Sequence, residues 1–253
     1  MKNLFEGFEG REENLKKIYR FSMFEKFTHR NHLWTHEQRV AYIIKDLFPS
    51  IKITLPKADR KKAFTLALVH DDAEVLTGDV QFGHKIHMTQ EQLKKLDDEE
   101  EKAVNKLAKK YPQKINDYSY KDLLMSAVHK DTLEAQIVSY ADKMDAYCEA
   151  IHELFSGNLT ALRPVLGYER TLFTFSSKFP KLRPFLSHKD SVWTNFTQRT
   201  NPEIVKLKYY DHLFKNHTKE SIKKKTDFPT YDKWKEITVK NFPNGEELLI
   251  KKR

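Results

Sequence analysis

The sequence predicts an all-α fold, because apolar residues recur at helical spacing through the first two-thirds of the chain. Runs of alternating β-branched residues are few, and only seven glycines occur in 253 residues. The chain is long enough for one large domain or for a core domain with an appendage. Its composition, with 39% apolar and 32% charged residues, predicts a soluble globular protein without a membrane-spanning helix.

The first two helices are predicted around two apolar runs. One covers about residues 36–48, where Thr35 opens a capping-box pattern and Pro49 ends the apolar periodicity. The other covers roughly residues 60–76 and stops at the turn that contains Gly78. Both helices carry polar residues at the ends of their apolar stripes, which is where candidate functional groups are expected.

Two longer helices are predicted further along the chain. A highly charged helix covers about residues 89–110, and most of its surface is expected to face solvent. A more apolar helix covers about residues 132–155 and is closed by Gly157. We find no internal repeat.

Several classes of function are excluded by what the sequence lacks. It has no glycine-rich phosphate loop of the Rossmann or P-loop type. A single cysteine, Cys148, rules out an internal disulfide and a multi-cysteine zinc site. Residues 1–20 contain no apolar stretch of signal-peptide length, so we expect a cytoplasmic protein.

Charge divides the chain into two predicted parts. Residues 1–167 carry 26 basic and 26 acidic side chains, whereas residues 168–253 carry 19 basic and 10 acidic ones. The second part is also rich in proline and aromatic residues. It is either a surface for nucleic acid or a folded extension packed on the core, and the density of aromatic residues favours the extension. We therefore predict a catalytic domain over 1–167 and a packed basic extension over 168–253.

Five polar residues lie at the edges or ends of apolar helices, where an unpaired charge is costly. In the helix predicted over 60–76, Glu74 follows His70 by four residues and Asp71 by three, so the three side chains can face one point. His36 opens another apolar helix, and Asp142 lies beside the apolar stripe of the fourth. Such a mixture of imidazole and carboxylate groups is typical of a divalent-metal site.

The spacing of these residues resembles that of the HD-domain metal phosphohydrolases. The pattern His36, then His70-Asp71, then Asp142 carries the resemblance. The longer string His-Asp-Asp-Ala-Glu-Val-Leu-Thr-Gly-Asp at residues 70–79 is similar to that of the 5'-deoxynucleotidase branch. The resemblance covers about residues 15–157 and implies an HD-type helical bundle. Phage-encoded deoxynucleoside monophosphatases of comparable size belong to the same group.

The resemblance implies a role for each matching residue. One divalent cation, Co²⁺, Mn²⁺ or Mg²⁺, would be held by His36, His70, Asp71 and Asp142. Glu74 would transfer the proton, and Asp79 would orient the sugar or assist Glu74. Arg20 would bind the phosphate with its planar guanidinium. Phe21 stands where a larger aromatic residue often excludes a sugar 2'-hydroxyl group.

Some assignments have rivals in the sequence. Arg30 and Lys26 compete with Arg20 for the phosphate, because Arg20 lies sixteen residues before His36, a wider interval than the family usually shows. His84 and Lys85 follow the Thr-Gly-Asp turn and could meet further phosphates, which would suit a triphosphate substrate.

The function that the resemblance implies is hydrolysis of deoxynucleoside 5'-monophosphates to deoxynucleosides and phosphate. An HD-domain enzyme acting on deoxynucleoside triphosphates or a signalling nucleotide is the first alternative. A nucleic-acid-binding protein with a vestigial HD site is the second. A homodimer is compatible with the sequence, and a phage-encoded protein would act in the host cytoplasm.

Overall fold

The computed structural model describes residues 4–22, 24, 27–80, 85, 88–194 and 228–250. Over these ranges the regular structure is helical except for one small antiparallel ribbon, so the all-α prediction is confirmed. None of the helices in the described ranges is both long and apolar enough to cross a membrane. Lys26, His84 and the aromatic residues between 195 and 227 lie outside the described residues.

The secondary structure follows the chain in a simple order. The helices are α1 (Arg11–Leu15), α2 (Leu33–Thr54), α3 (Arg60–Ala67), α4 (Glu74–Thr77), α5 (Gln90–Lys110), α6 (Tyr120–His129), α7 (Leu133–Phe155), α8 (Leu162–Phe173), α9 (Phe175–Lys178), α10 (Arg183–Leu186), α11 (Phe228–Asn241) and α12 (Gly245–Leu248). The strands β1 (Lys114–Ile115) and β2 (Tyr118–Ser119) pair between α5 and α6. Short 3₁₀ turns at Leu159–Ala161 and Pro180–Leu182 precede α8 and α10.

The chain divides into two compact units. The first contains residues 1–24, 30–45 and 59–139, and the second contains residues 25–29, 46–58 and 140–253. This division does not fall at the predicted boundary after residue 167, which stays a prediction.

In the first unit, α5 packs against α4 and α6, and α6 also packs against α3. Helix α5 confirms its predicted range and begins with a full capping box, in which Thr89 and Gln92 each bond the other's backbone N–H. Its buried residues are Leu96, Ala103, Val104 and Leu107. The rest of this charged helix is largely exposed, so burial of one narrow stripe holds it in place.

Helix α2 is longer than predicted at both ends. Thr35 lies inside the helix, and the imidazole of His32 replaces the predicted capping box, because its Nδ1 accepts the backbone N–H of Thr35 at 3.1 Å. Pro49 also lies inside the helix, which continues to Thr54. Proline removes one backbone hydrogen bond. Burial of Phe48 and Ile51 on either side offsets that loss.

The helix predicted over residues 60–76 is two helices, so that prediction is wrong. Helix α3 ends at Ala67, and a series of turns leads to α4, which begins at Glu74. The Leu68 carbonyl accepts the guanidinium of Arg11. The backbone N–H groups of Asp72 and Glu74 bond carbonyls three residues earlier, not four. This segment therefore combines local turns with a hydrogen bond from Arg11 of α1.

Two buried tryptophans from the C-terminal third anchor the second unit. The indole N–H of Trp193 donates to Asp46 at 2.8 Å, and that of Trp234 donates to Asp145 at 2.7 Å. Helix α7 confirms its predicted range, and Gly157 after it has a φ of 102°, a conformation that favours glycine. These contacts support a packed C-terminal region.

Polar groups at the end of α7 bind two other segments of the second unit. Glu153 accepts the backbone N–H groups of Thr28 and His29 and lies 2.7 Å from Nδ1 of His29. These hydrogen bonds lower the pKa of Glu153 to about 2, although its burial acts in the opposite direction. His152 bonds the hydroxyl group of Tyr231 and the carbonyl of Leu249.

Truncation after Gly167 is expected to cause aggregation, because it removes Trp193, Trp234 and the rest of the apolar surface that this region buries. Size-exclusion chromatography and circular dichroism would measure the effect. Trp234→Phe keeps an aromatic side chain, although a smaller one, and removes the donor to Asp145, so it should cost about 1–3 kcal/mol of unfolding free energy. A folded, monodisperse truncation that has lost salt-dependent DNA binding would instead favour the nucleic-acid interpretation.

Candidate metal centre

Three of the four predicted ligands lie together in the first unit. His36 comes from the first turn of α2, and His70 and Asp71 come from the turns between α3 and α4. The carboxylate of Asp71 lies 3.3 Å from Nε2 of His36 and 3.4 Å from Nε2 of His70. One donor atom from each residue falls within 4.8 Å of the others, an arrangement that could hold a metal ion. The sequence prediction of this group is therefore supported by its geometry.

The hydrogen bonding of His70 fits metal coordination. Its Nδ1 lies 2.8 Å from the carbonyl oxygen of Ala67. A carbonyl group can only accept, so Nδ1 carries the proton, and in the neutral ring Nε2 would be the atom that binds a metal. Fixing the tautomer through the second ring nitrogen is typical of metal-binding histidines.

His36 is fully buried, and its Nδ1 contacts the guanidinium of Arg20. A guanidinium has no acceptor, so Nδ1 of His36 accepts in this contact. Two imidazoles and one carboxylate fit a divalent transition metal.

Glu74 begins α4, directly after the ligand-bearing turns. Its Oε2 atom is buried and has no hydrogen-bond partner among the described residues. Burial raises the pKa of Glu74 well above its usual value, and the negative charges of Asp71 and Asp79 raise it further. Lys85 acts in the opposite direction. A carboxyl group with a raised pKa beside metal ligands is suited to holding and transferring a proton.

Two other predicted groups act electrostatically near Glu74. Asp79 follows Gly78, which ends α4 with a φ of 78°, as the sequence predicted for this turn. Lys85 forms an ion pair with Glu100 of α5 at 3.2 Å, and this acidic partner raises the pKa of Lys85 although burial lowers it. The charge of Lys85 is therefore already balanced by a carboxylate of the protein.

The structure separates Arg20 from its rival Arg30. Arg20 is buried and contacts a candidate ligand, His36, whereas the guanidinium of Arg30 donates to the carbonyl of Phe24. Phe21 is also buried, with its ring centroid 5.8 Å from the Arg20 guanidinium carbon. Its φ of 55° is costly for a non-glycine residue. Arg20 as the phosphate ligand stays a prediction from the family resemblance.

Asp142 belongs to the second unit, where its carboxylate contacts the ammonium group of Lys143. Its role as the fourth ligand stays a prediction from the family resemblance.

Sequence reasoning missed three charged residues that contact the ligand-bearing segments. Arg11, Glu37 and Asp72 are all buried and bonded to one another. The sequence did indicate two of these residues, because Glu37 and Asp72 are charged and each adjoins a predicted ligand within an apolar segment. Arg11 gave a weaker signal, as a single basic residue among four nearby glutamates.

Two solved structures with a similar fold support the HD-type helical architecture. A conserved protein from Pyrococcus furiosus matches with a TM-score of 0.53 and 22% identity, over 68% of this chain and 91% of its own. An HD-domain phosphohydrolase from Listeria innocua matches with a TM-score of 0.58 and 20% identity, over 91% of this chain and 96% of its own. At these identities the likeness shows the fold alone. The chain therefore has the fold of the HD-domain phosphohydrolases.

The family within that class is defined by sequence. The model of the 5'-deoxynucleotidase YfbR-like family matches residues 8–175, about two-thirds of the chain, and the protein belongs to this family. A 5'-deoxynucleotidase from Erwinia tasmaniensis is 33% identical over 109 residues, 42% of this chain and 52% of the relative. One from Vibrio parahaemolyticus is 34% identical over 95 residues, 37% of this chain and 46% of the relative. The chain thus spans about half the length of these curated relatives.

Proposed function

We propose that this protein is a divalent-metal-dependent 5'-deoxynucleotidase that hydrolyses deoxynucleoside 5'-monophosphates. The observation that carries the proposal is the convergence of His36, His70 and Asp71, together with the electrostatic effect of Asp71 on the buried Oε2-bearing carboxyl group of Glu74. Membership of the 5'-deoxynucleotidase YfbR-like family supports the same reaction. We propose Asp142 as the fourth ligand, as the family resemblance implies.

In this reaction, a water oxygen forms a bond to phosphorus and the bond from phosphorus to the 5'-oxygen breaks. A divalent cation held by these ligands would supply Lewis-acid chemistry for the phosphoryl group and for water. Glu74 transfers the proton, since the charge of Asp71 acts on its carboxyl group and its pKa is raised. Arg20 binds the phosphate and Phe21 contacts the sugar. Asp79 orients the sugar or assists Glu74, whose pKa it helps to raise.

Phosphate release from dAMP in the presence of Mn²⁺ or Co²⁺ tests the proposal directly. We expect hydrolysis that EDTA abolishes and added metal restores, with AMP as the comparison for deoxyribose selectivity. dATP tests the alternative triphosphate substrate, which the pairing of Lys85 with Glu100 does not favour. No release from any deoxynucleoside monophosphate with Mn²⁺, Co²⁺ or Mg²⁺ would refute the proposal.

The cytoplasmic location, the phage origin and the homodimer stay predictions from the sequence.

Arg20→Lys is expected to lower kcat/KM for dAMP by about 10- to 100-fold. The change keeps the positive charge but removes the planar pair of donors, and hydrogen bonds to charged groups are worth about 1.5–3 kcal/mol. Arg30→Lys is the matched control, because its guanidinium already bonds a backbone carbonyl. Steady-state kinetics on both variants would decide the matter. An impaired Arg30→Lys enzyme beside a normal Arg20→Lys enzyme would reassign the phosphate to Arg30.

A further inference from the structure

The guanidinium of Arg11 is the centre of a buried charged network in the first unit. Only 2% of the Arg11 side chain is exposed. Its Nε donates to Asp72 at 2.8 Å and its Nη2 donates to Glu37 at 2.7 Å. Nη2 also bonds the carbonyl of Leu68. The hydroxyl group of Tyr120 donates to Asp72 at 2.7 Å, so that carboxylate is fixed from two directions.

The partners of Arg11 lie beside the candidate ligands along the chain. Glu37 follows His36 in the first turn of α2, and Asp72 follows Asp71 in the turns after α3. Glu37 also accepts the backbone N–H of Asp71 at a weak 3.4 Å through its other oxygen. One guanidinium therefore joins the two segments that supply all three clustered ligands.

The backbone around His70 and Asp71 explains why a connection to α2 is needed. Residues 68–73 are turns between α3 and α4, without the hydrogen-bond ladder that would fix a helix. Small shifts of these turns would change the separation of His36 and Asp71. The planar guanidinium of Arg11 donates to a carbonyl group and two carboxyl groups at once. A compact lysine ammonium group lacks this planar arrangement of donors.

Stability alone explains this network poorly. Removing a charged group such as the Arg11 guanidinium from water carries a desolvation cost of several kcal/mol per ion, and well-packed apolar replacements of buried ion pairs are often as stable. Groups that orient metal ligands typically change metal affinity 10- to 100-fold when they are lost.

We propose that Arg11 is a positioning residue for the metal centre, which sets the relative placement of His36 and Asp71 through Glu37 and Asp72. The inference rests on the proposed metal site but not on the identity of the substrate. Arg11 acts through the residues that it bonds directly, which are Glu37, Asp72 and Leu68.

The test uses the full chain and the metal alone. Mn²⁺ titration by calorimetry should give a dissociation constant at least 10-fold weaker for Arg11→Met than for the wild type. The visible spectrum of bound Co²⁺ should also change, because ligand placement controls it. Leu15→Ala is the matched control, since Leu15 is fully buried on the same helix α1. It should lower the melting temperature but leave both metal readouts unchanged.

Arg11→Lys provides the second variant, because Arg11→Met leaves two buried carboxylates without their cation and can fail to fold. Arg11→Lys keeps that charge and loses the fork, so a folded variant with weaker Mn²⁺ binding and an altered Co²⁺ spectrum supports the proposal. Wild-type affinity and spectrum in whichever Arg11 variant folds would overturn it, as would equal loss of affinity in Leu15→Ala. A wild-type protein that binds no Mn²⁺ or Co²⁺ would overturn the metal site itself. If the wild type binds metal and hydrolyses dAMP normally, the proposed function stands even when the Arg11 proposal fails.

Discussion

Asp71→Ala is expected to abolish metal binding and to lower dAMP hydrolysis by roughly 10³-fold or more. Asp71 lies between the Nε2 atoms of His36 and His70, so its loss removes the anionic member of the cluster. A divalent cation contributes several kcal/mol of transition-state stabilisation in such reactions, and about 1.4 kcal/mol corresponds to a tenfold change in rate. The loss should therefore appear in kcat and in metal content together.

Thermal unfolding with and without Mn²⁺ measures the same prediction without substrate. A cation that binds only the folded state raises the melting temperature of the wild type. Asp71→Ala should show no such rise. Asp97→Ala is the matched control, because Asp97 is an exposed aspartate on α5. If Asp71→Ala keeps stoichiometric metal and the wild-type rate, the site lies elsewhere.

The helices with strong periodicity could be predicted from the sequence, and those shaped by tertiary contacts could not. Helices α5 and α7 match their predicted ranges, because each carries its own stripe of buried residues and its own terminal signal. The end of α2 was missed because Pro49 normally marks a helix boundary, whereas burial on both sides of it maintains this helix.

The break between α3 and α4 was hidden for a different reason. Residues 60–76 contain no glycine or proline, and their apolar pattern is continuous. At the end of α3 the Leu68 carbonyl accepts a hydrogen bond from Arg11, which lies 57 residues away in the chain. No local signal in residues 60–76 could reveal that bond.

The candidate site was predictable because its chemistry is local in sequence. His70, Asp71 and Glu74 lie within five residues, and a histidine and two carboxyl groups in an apolar run already require an explanation. The tautomer of His70 and the contact between Arg20 and His36 could not be predicted, since each depends on atoms that the sequence does not place.

Glu74→Gln is expected to lower kcat for dAMP by roughly 10²-fold or more while KM and metal content stay near wild-type values. Glutamine has the shape of glutamate but cannot hold and release the proton. The buried Oε2 atom of Glu74 and its raised pKa, which burial and the charge of Asp71 both raise, fit a proton-transfer role. Glu99→Gln is the matched control, because Glu99 is exposed on α5.

A substrate with sulfur in place of the bridging 5'-oxygen locates the proton. A thiolate leaves without protonation far more readily than an alkoxide, as the lower pKa of thiols shows. If Glu74 protonates the leaving oxygen, Glu74→Gln should lose roughly 10²-fold on dAMP and much less on the sulfur analogue. If Glu74 instead accepts the proton of the attacking water, the loss should be similar for both substrates. Unchanged turnover of both would remove Glu74 from the mechanism and leave its buried carboxyl group with a structural role alone.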